Sequence, residues 1–272
     1  MIEALQFEFV QNALIAGLLT SLACGIIGSL VIVNRIVLIS GGIAHAAYGG
    51  IGLAFFFGFS PLIGAGLFSL VISAIIGIIT LKNRHRSDTV IGILWAVGMA
   101  FGVILIDLTP GYKTDLMSYL FGSILMVPGS DIILMLILDI IIVLTIIFFY
   151  KDFFAMSYDE EFAALRGTPV KILYFVLLAL IALTVVMTIR VVGLILVIAL
   201  LTIPTYISEK FSSSLAKMMI WSFILSTLFV FTGLWFSYYF NLTSGASIIM
   251  VAAAVFFVFN IIRSLKNRFR TV

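Results

Sequence analysis

The sequence predicts an all-α membrane protein, a polytopic bundle of about eight or nine transmembrane helices forming one domain over 1–272, on three observations. Apolar residues make up 63% of the chain and charged residues 10%, with a mean hydropathy of +1.31. Soluble domains run near half apolar and a quarter charged, and no soluble fold of this size could hide so much apolar surface. The apolar residues gather in runs of about 20, the length that crosses a hydrocarbon core. The basic residues cluster in every second gap between those runs. Cys24 is the only cysteine, which excludes an internal disulfide framework and leaves a small buried residue as its plain reading.

The first run, 10–33, follows Glu8 and stops at Asn34 and Arg35. It lacks a preceding basic stretch and a following cleavage site, so it reads as a retained helix rather than a removed signal. The second, 38–58, is crowded with glycine and alanine and ends at Gly58. The third, 61–81, opens at Pro61, which suits a first helical turn, and closes at Lys82. The fourth, 89–108, begins beyond Asp88 and is stopped by Pro110. The stretch 115–127 is too short to cross and ends at Pro128; flanked by Gly111 and Gly129, it reads as re-entrant or interfacial. The fifth run, 131–150, ends at Lys151, and the sixth, 170–189, lies between Pro169 and Arg190. The seventh, 191–207, carries Pro204 and meets the sixth with almost no loop. The eighth and ninth are 218–240 and 244–262.

Orientation follows from Lys and Arg, which are retained on the cytoplasmic side. With the N-terminus outside and nine spans threaded, 13 of the 15 basic residues fall inside, and only Lys113 and Arg190 fall outside. The expectation is N-out, C-in.

Gly41, Gly42, Ala44, Ala46, Ala47, Gly49, Gly50 and Gly52 leave the second run almost without side-chain bulk. Lipid offers no hydrophobic drive between helices, so small residues serve close backbone approach. Such a helix is either tightly packed in the interior or lines a narrow path, and the two often coincide. On a helix, Gly41, His45, Tyr48, Gly49 and Gly52 share one face. A lone histidine there is most often a packing residue. As a ligand it is the commonest nitrogen donor for zinc and suits other transition metals, and its glycine neighbours leave room for an ion. One histidine cannot make a site, so a second copy of the chain or a carboxylate from another helix would complete it. The other intramembrane candidates, each costly and a functional hypothesis by default, are carboxylates. Asp139 sits mid-span, and Asp107 and Asp131 lie near the outer ends of their spans with Asp115 between them.

The sequence has no G-x-x-x-x-G-K-[ST], no H-E-x-x-H and no G-x-S-x-G, which excludes a P-loop ATPase site, a zinc protease and a nucleophile elbow. Energy for transport would come from another subunit or from an ion gradient. The inner loops favour the subunit. In 157–167, Asp159, Glu160 and Glu161 precede Arg166, Gly167 and Pro169, the order that suits a short capped helix and its dipole. The stretch 204–217 reads as a second such loop, with Pro204 inside the end of the seventh run and a serine break between two helical pieces. Both are solvated caps or docking surfaces for a cytoplasmic partner.

Several stretches resemble the ABC-3 family of zinc, manganese and iron permeases, in order and over essentially the whole chain. They are VGLILVIALLTIPTYIS at 192–208; Ser87, Asp88 and Thr89 with Ile91, Gly92 and Ile93; Tyr119, Leu120, Phe121 and Gly122; Tyr158, Asp159, Glu160 and Glu161 with Ala163 and Ala164; and Tyr238 and Tyr239 with Ser244 and Gly245. The resemblance implies a permease of the vitamin-B12-importer type in a prokaryotic plasma membrane, paired with a second permease subunit, most simply its own copy. Cytoplasmic ABC ATPase subunits and an extracytoplasmic metal-binding protein would complete it, with no nucleic acid involved. No cofactor is bound permanently, and the metal ion is cargo. ATPase coupling is thereby carried onto Pro204, Ser208, Glu209 and Lys210, with Asp159, Glu160 and Arg166 as secondary contacts. His45 becomes a pathway ligand. The family commonly has an aspartate one turn before this histidine, where this chain has Gly41; oxygen from Asp107, Asp115 or Asp131 nearer the outer mouth would then have to serve. The alternative is a secondary cation transporter, for which Asp139 is thin support; a membrane enzyme is a poor third.

Overall fold

The computed structural model describes residues 6–82, 87–110, 120–194 and 197–270. Among them are ten α-helices and no strand: α1 (Glu8–Val33), α2 (Val37–Phe57), α3 (Pro61–Lys82), α4 (Ser87–Leu108), α5 (Gly129–Tyr158), α6 (Glu160–Leu165), α7 (Val170–Val192), α8 (Val197–Glu209), α9 (Leu215–Phe240) and α10 (Ser244–Arg270). Eight are long and apolar enough to cross a membrane. The helical solution is forced by lipid, which leaves backbone groups no partner outside their own segment.

Contacts at the helix ends fix the path of the chain. Asn34, just past α1, donates from Nδ2 to Ser157 Oγ at 2.9 Å. Arg35, Thr80, Asp88, Glu160 and Tyr174 line one cavity of about 260 Å³ at that end, and Val33, Ser157, Glu209 and Ser213 line another. The opposite end holds Val127, whose carbonyl accepts from Asn12 Nδ2 at 3.5 Å, and Gly245, which abuts Phe121 and Val192. The long helices therefore alternate in direction from α1 to α7, and the short α8 brings the chain back to the first end. Then α9 and α10 cross away and return, so the described chain starts at one end and finishes at the other. Arg35, Lys171 and Lys210 all fall at the first end, where the basic inner loops are expected.

One expected span differs. In place of a full crossing over 191–207, the helix is α8, 13 residues long, or about 20 Å at 1.5 Å per residue against a core of about 30 Å. The cause is a crossing of two backbones. Gly193 ends α7 with φ +82°, and Gly122 has φ +74°. A Cβ on Gly122 would overlap Val192 C and Gly193 N, and one on Gly193 would overlap Gly122 N. Only glycine combines that dihedral with that approach. Of the short stretch expected at 115–127, residues 115–119 lie outside the described residues, and Ile124–Met126 forms one 3₁₀ turn that buries Ile124 and leaves Met126 exposed.

The loop expected at 204–217 shows two helical pieces on either side of its serine break. Residues 204–209 complete α8, 210–214 connect, and 215–217 open α9, with Ser214 Oγ capping Lys217 N. Hydroxyls knit this region to the bundle, Ser208 Oγ lying 2.5 Å from Ser222 Oγ and Ser222 Oγ 3.5 Å from Ser29 Oγ. Interhelical bonds of this kind contribute roughly 0.6–2 kcal/mol in membranes.

Candidate functional site

The glycines of α2 are spent on helix contacts. A Cβ on Gly50 would overlap the carbonyl oxygen of Gly64 in α3, and one on Gly52 would meet the backbone of Gly102 in α4. On the face shared with His45, a Cβ at Gly41 would lie 2.6 Å from Ile198 Cδ1 of α8, and one at Gly49 2.8 Å from Phe68. Tyr48 is buried, and its backbone meets Gly102. The second helix is thus closed in by α3, α4 and α8.

His45 lies inside this packing, 7% exposed. Its imidazole stacks flat on the indole of Trp95 from α4, with centroids 4.0 Å apart and planes 3° from parallel. Trp95 Nε1 donates to Met99 Sδ at 3.2 Å, one turn further on. Nδ1 of His45 is buried with no hydrogen-bond partner. A buried ring nitrogen without a partner is a donor atom available to a ligand. The indole fixes the plane of the ring, and Met99 in turn holds the indole N–H. Sequence reasoning missed Trp95 and Met99 because both sit inside an apolar run, where aromatic and thioether side chains read as core.

The carboxylates do not join His45. Asp107 is exposed near the end of α4, 12 residues beyond Trp95 or about 18 Å of helix rise. Asp131 stands in the first turn of α5, and Asp115 lies outside the described residues. Among the described residues no three His, Cys, Asp or Glu side chains converge. Asp139 is elsewhere again, on α5, 2% exposed, with both carboxylate oxygens unpartnered.

At the basic end, the residues given the coupling role separate into two kinds. Pro204 and Ser208 are buried, so neither offers a surface. Glu209 and Lys210 do, joined by a 2.7 Å ion pair, with Lys210 Nζ 4.5 Å from the Tyr206 ring centroid. The short helix α6 forms where the sequence indicates. Asp159 Oδ1 accepts from Phe162 N at 2.9 Å, Glu160 and Glu161 fill the first turn, and Arg166 lies over the Phe162 ring. What the sequence did not disclose is the exposed apolar surface here: Tyr158, which ends α5, is 79% exposed, and Phe162 and Leu165 of α6 are 54% and 87% exposed. Large apolar side chains displayed among charges at a helix-bundle end are surface of the kind used for contact with a protein or a membrane.

Known proteins resemble the chain over nearly its whole length. A family model described as the ABC 3 transport family matches residues 6–263. An uncharacterized membrane protein of Synechocystis sp. is 53% identical over 258 residues, covering 95% of this chain and 92% of that protein. The manganese transport system membrane protein MntC of Listeria monocytogenes is 35% identical over 254 residues, covering 93% and 90%. Among solved structures, PsaBC from Streptococcus pneumoniae in complex with Fab contains a chain 34% identical to this one, with a TM-score of 0.86 and coverage of 95% and 93%.

Proposed function

Because this chain belongs to the ABC 3 transport family, a family of metal ABC transporter permeases, we propose that it conducts a divalent transition-metal ion, manganese foremost, into the cell under the power of a partner ATPase. The observation that carries the reading is α6, a capped helix that presents Phe162 and Leu165, beside Tyr158 at the end of α5, where the basic loops gather. A permease without a motor of its own needs such a handle for one. Aromatic and aliphatic anchors inside a charged rim are how protein contacts gain affinity. On this reading α6 seats in the ATPase, its apolar residues inserted and Asp159, Glu160 and Arg166 at the rim, while Glu209 and Lys210 form a flanking contact. The primary coupling role thus moves from the 204–210 stretch to α6.

His45 is the pathway ligand. Trp95 holds its ring and leaves Nδ1 without a protein partner, so a passing ion meets a prepared nitrogen. A single imidazole binds weakly, as conduction requires, since an ion held tightly would not leave. A second copy of the chain supplies the other half of the path, and a substrate-binding protein delivers the ion to the outer mouth. Manganese comes from the Listeria relative's name; zinc and iron are the other cargoes of this class. The N-terminus is outside and the C-terminus cytoplasmic, on the division of basic residues. In cells lacking their own manganese importers, this chain with its ATPase should restore manganese accumulation, and His45→Ala should not. Equal accumulation with and without the ATPase would overturn the reading.

A further inference from the structure

A groove of about 520 Å³ runs along the bundle near its basic end. Its floor is α1 (Leu22, Ile26), one wall is α5 (Val143, Ile147) and the other is α9 (Ile220, Phe223). The sequence sets α9 close on the floor, since Gly25 has no Cβ and one there would lie 2.6 Å from Phe223 N. Toward the basic end the walls meet. There α5 kinks at Phe149, and the hydroxyl oxygen of Tyr150 accepts from Ala216 N at 3.1 Å. That hydroxyl keeps its own hydrogen to donate, and the rest of the lining is apolar. From Tyr150 back to Val143, and from Ala216 on to Phe223, the walls extend about 10 Å along each helix. The groove thus lies within one half of a hydrocarbon core about 30 Å thick.

Two lysines flank the groove where the walls meet. Lys151 follows Tyr150 and Lys217 follows Ala216, each one residue past a groove-facing position and so turned from it by about 100°. Because α5 and α9 run antiparallel, these turns carry both lysines to the same side, and both are exposed. Asp152 is turned about 100° further, onto the face of α5 away from the groove, and Glu209 is held by Lys210. We propose that the groove binds an anionic phospholipid of the inner leaflet, the basic end being cytoplasmic. One acyl chain lies along Leu22 and Ile26, and the phosphate meets Lys151, Lys217 and the Tyr150 hydroxyl. Any lipid covers an apolar wall, but a three-sided trough fixes a chain and the cations select the headgroup. Lysine binds phosphate as a point charge, and its long stem carries that charge to the headgroup level. Each lysine near the membrane surface strengthens attachment of an anionic lipid about 5-fold, and the pair roughly 25-fold. The lipid would join α9 to α5, the helix that leads into α6. Its test reads lipid binding alone, so it stands or falls apart from the metal path and the ATPase.

Full-length permease in non-ionic detergent, given equal amounts of phosphatidylglycerol and phosphatidylcholine with the same chains, can be read by native mass spectrometry. One phosphatidylglycerol per chain should be retained, favoured over phosphatidylcholine by roughly 25-fold. Lys151→Gln or Lys217→Gln alone should lower that preference about 5-fold, and the two together should abolish it. Lys171→Gln, on α7 and beside a different cavity, should leave it unchanged. Ile147→Trp, which puts bulk into the exposed wall, should cost retention of both lipids with the lysines intact. The substituted side chains are exposed, so an unchanged melting temperature confirms that each variant is folded. Equal retention of the two lipids overturns the proposal, as does a preference untouched in the double lysine variant. Retention undiminished in Ile147→Trp also overturns it, leaving a headgroup attraction with no chain site. Oxidation of Ile220→Cys in a Cys24→Ser background should give no crosslink between chains in native membranes. A crosslink there would assign the groove to a second copy of the chain instead.

Discussion

The imidazole of His45 lies flat against the indole of Trp95, 4.0 Å between centroids and 3° from parallel. Two rings on different helices reach that alignment only if α2 and α4 are locked in register, and the glycine contacts at Gly98 and Gly102 lock them. The stack makes Trp95 a positioning residue for the ligand nitrogen. Trp95→Ala should lower metal uptake by roughly 10–100-fold, as outer-shell losses do, while Trp95→Phe, which keeps a ring face, should retain most of it. Uptake kinetics separate the cases. A rise in KM with unchanged maximal rate fits lost positioning at the ligand, whereas equal uptake by Trp95→Ala would make the stack mere packing.

At the other end, Leu165 is the most exposed large apolar residue of α6. Leu165→Asp should remove stimulation of the partner ATPase by at least the ~2 kcal/mol of an interface anchor, or about 30-fold in affinity. Insertion and thermal stability should stay unchanged, since the side chain supports nothing within the fold. Charge reversal at Glu209 and Lys210 together should cost less, because exposed ion pairs contribute about 0–1 kcal/mol. ATPase titrations with both variants rank the two contacts directly.

The crossing of Gly122 and Gly193 predicts a purely structural defect. Gly193→Ala adds a methyl group at φ +82° where the backbone of residues 120–122 already stands. Left-handed strain alone costs about 1–2 kcal/mol, and the overlap adds to it. A lower melting temperature in detergent checks this, with no comparable loss for Gly92→Ala, whose added Cβ would meet nothing.

The spans were legible because lipid makes length and hydropathy nearly sufficient, and α1 to α5 begin or end within a few residues of the charged and proline punctuation. The capped helix after Asp159 was legible for a similar reason, its signals being local. The short α8 was not, since what interrupts the helical run at Gly193 is a backbone crossing with Gly122, far away in sequence. Nor was the partner of His45. Trp95 and Met99 lie in an unbroken apolar run, and only the three-dimensional register of α2 on α4 sets them apart from other core residues. The coupling surface was half visible, in that charge order gave α6 but not the exposure of Leu165.

Topology offers a check free of any transport assay. Cys24 is buried and should not label, so single substitutions can be read against it. Leu242→Cys, at the turn before α10, should react with a membrane-impermeant maleimide added outside intact cells. Ser213→Cys, between α8 and α9, should react only after permeabilisation. The reverse pattern would invert the threading and place α6 on the wrong side for an ATPase.

Reconstitution tests the central claim, that metal crosses at His45 under the power of a partner ATPase. Proteoliposomes would hold this chain with its ATPase and receive metal-loaded substrate-binding protein outside and ATP within. Manganese should accumulate only with hydrolysable ATP, and His45→Ala should reduce the rate by at least ~10-fold with ATPase assembly intact. Accumulation driven by an ion gradient in the absence of the ATPase, or an undiminished rate in His45→Ala, would contradict the account.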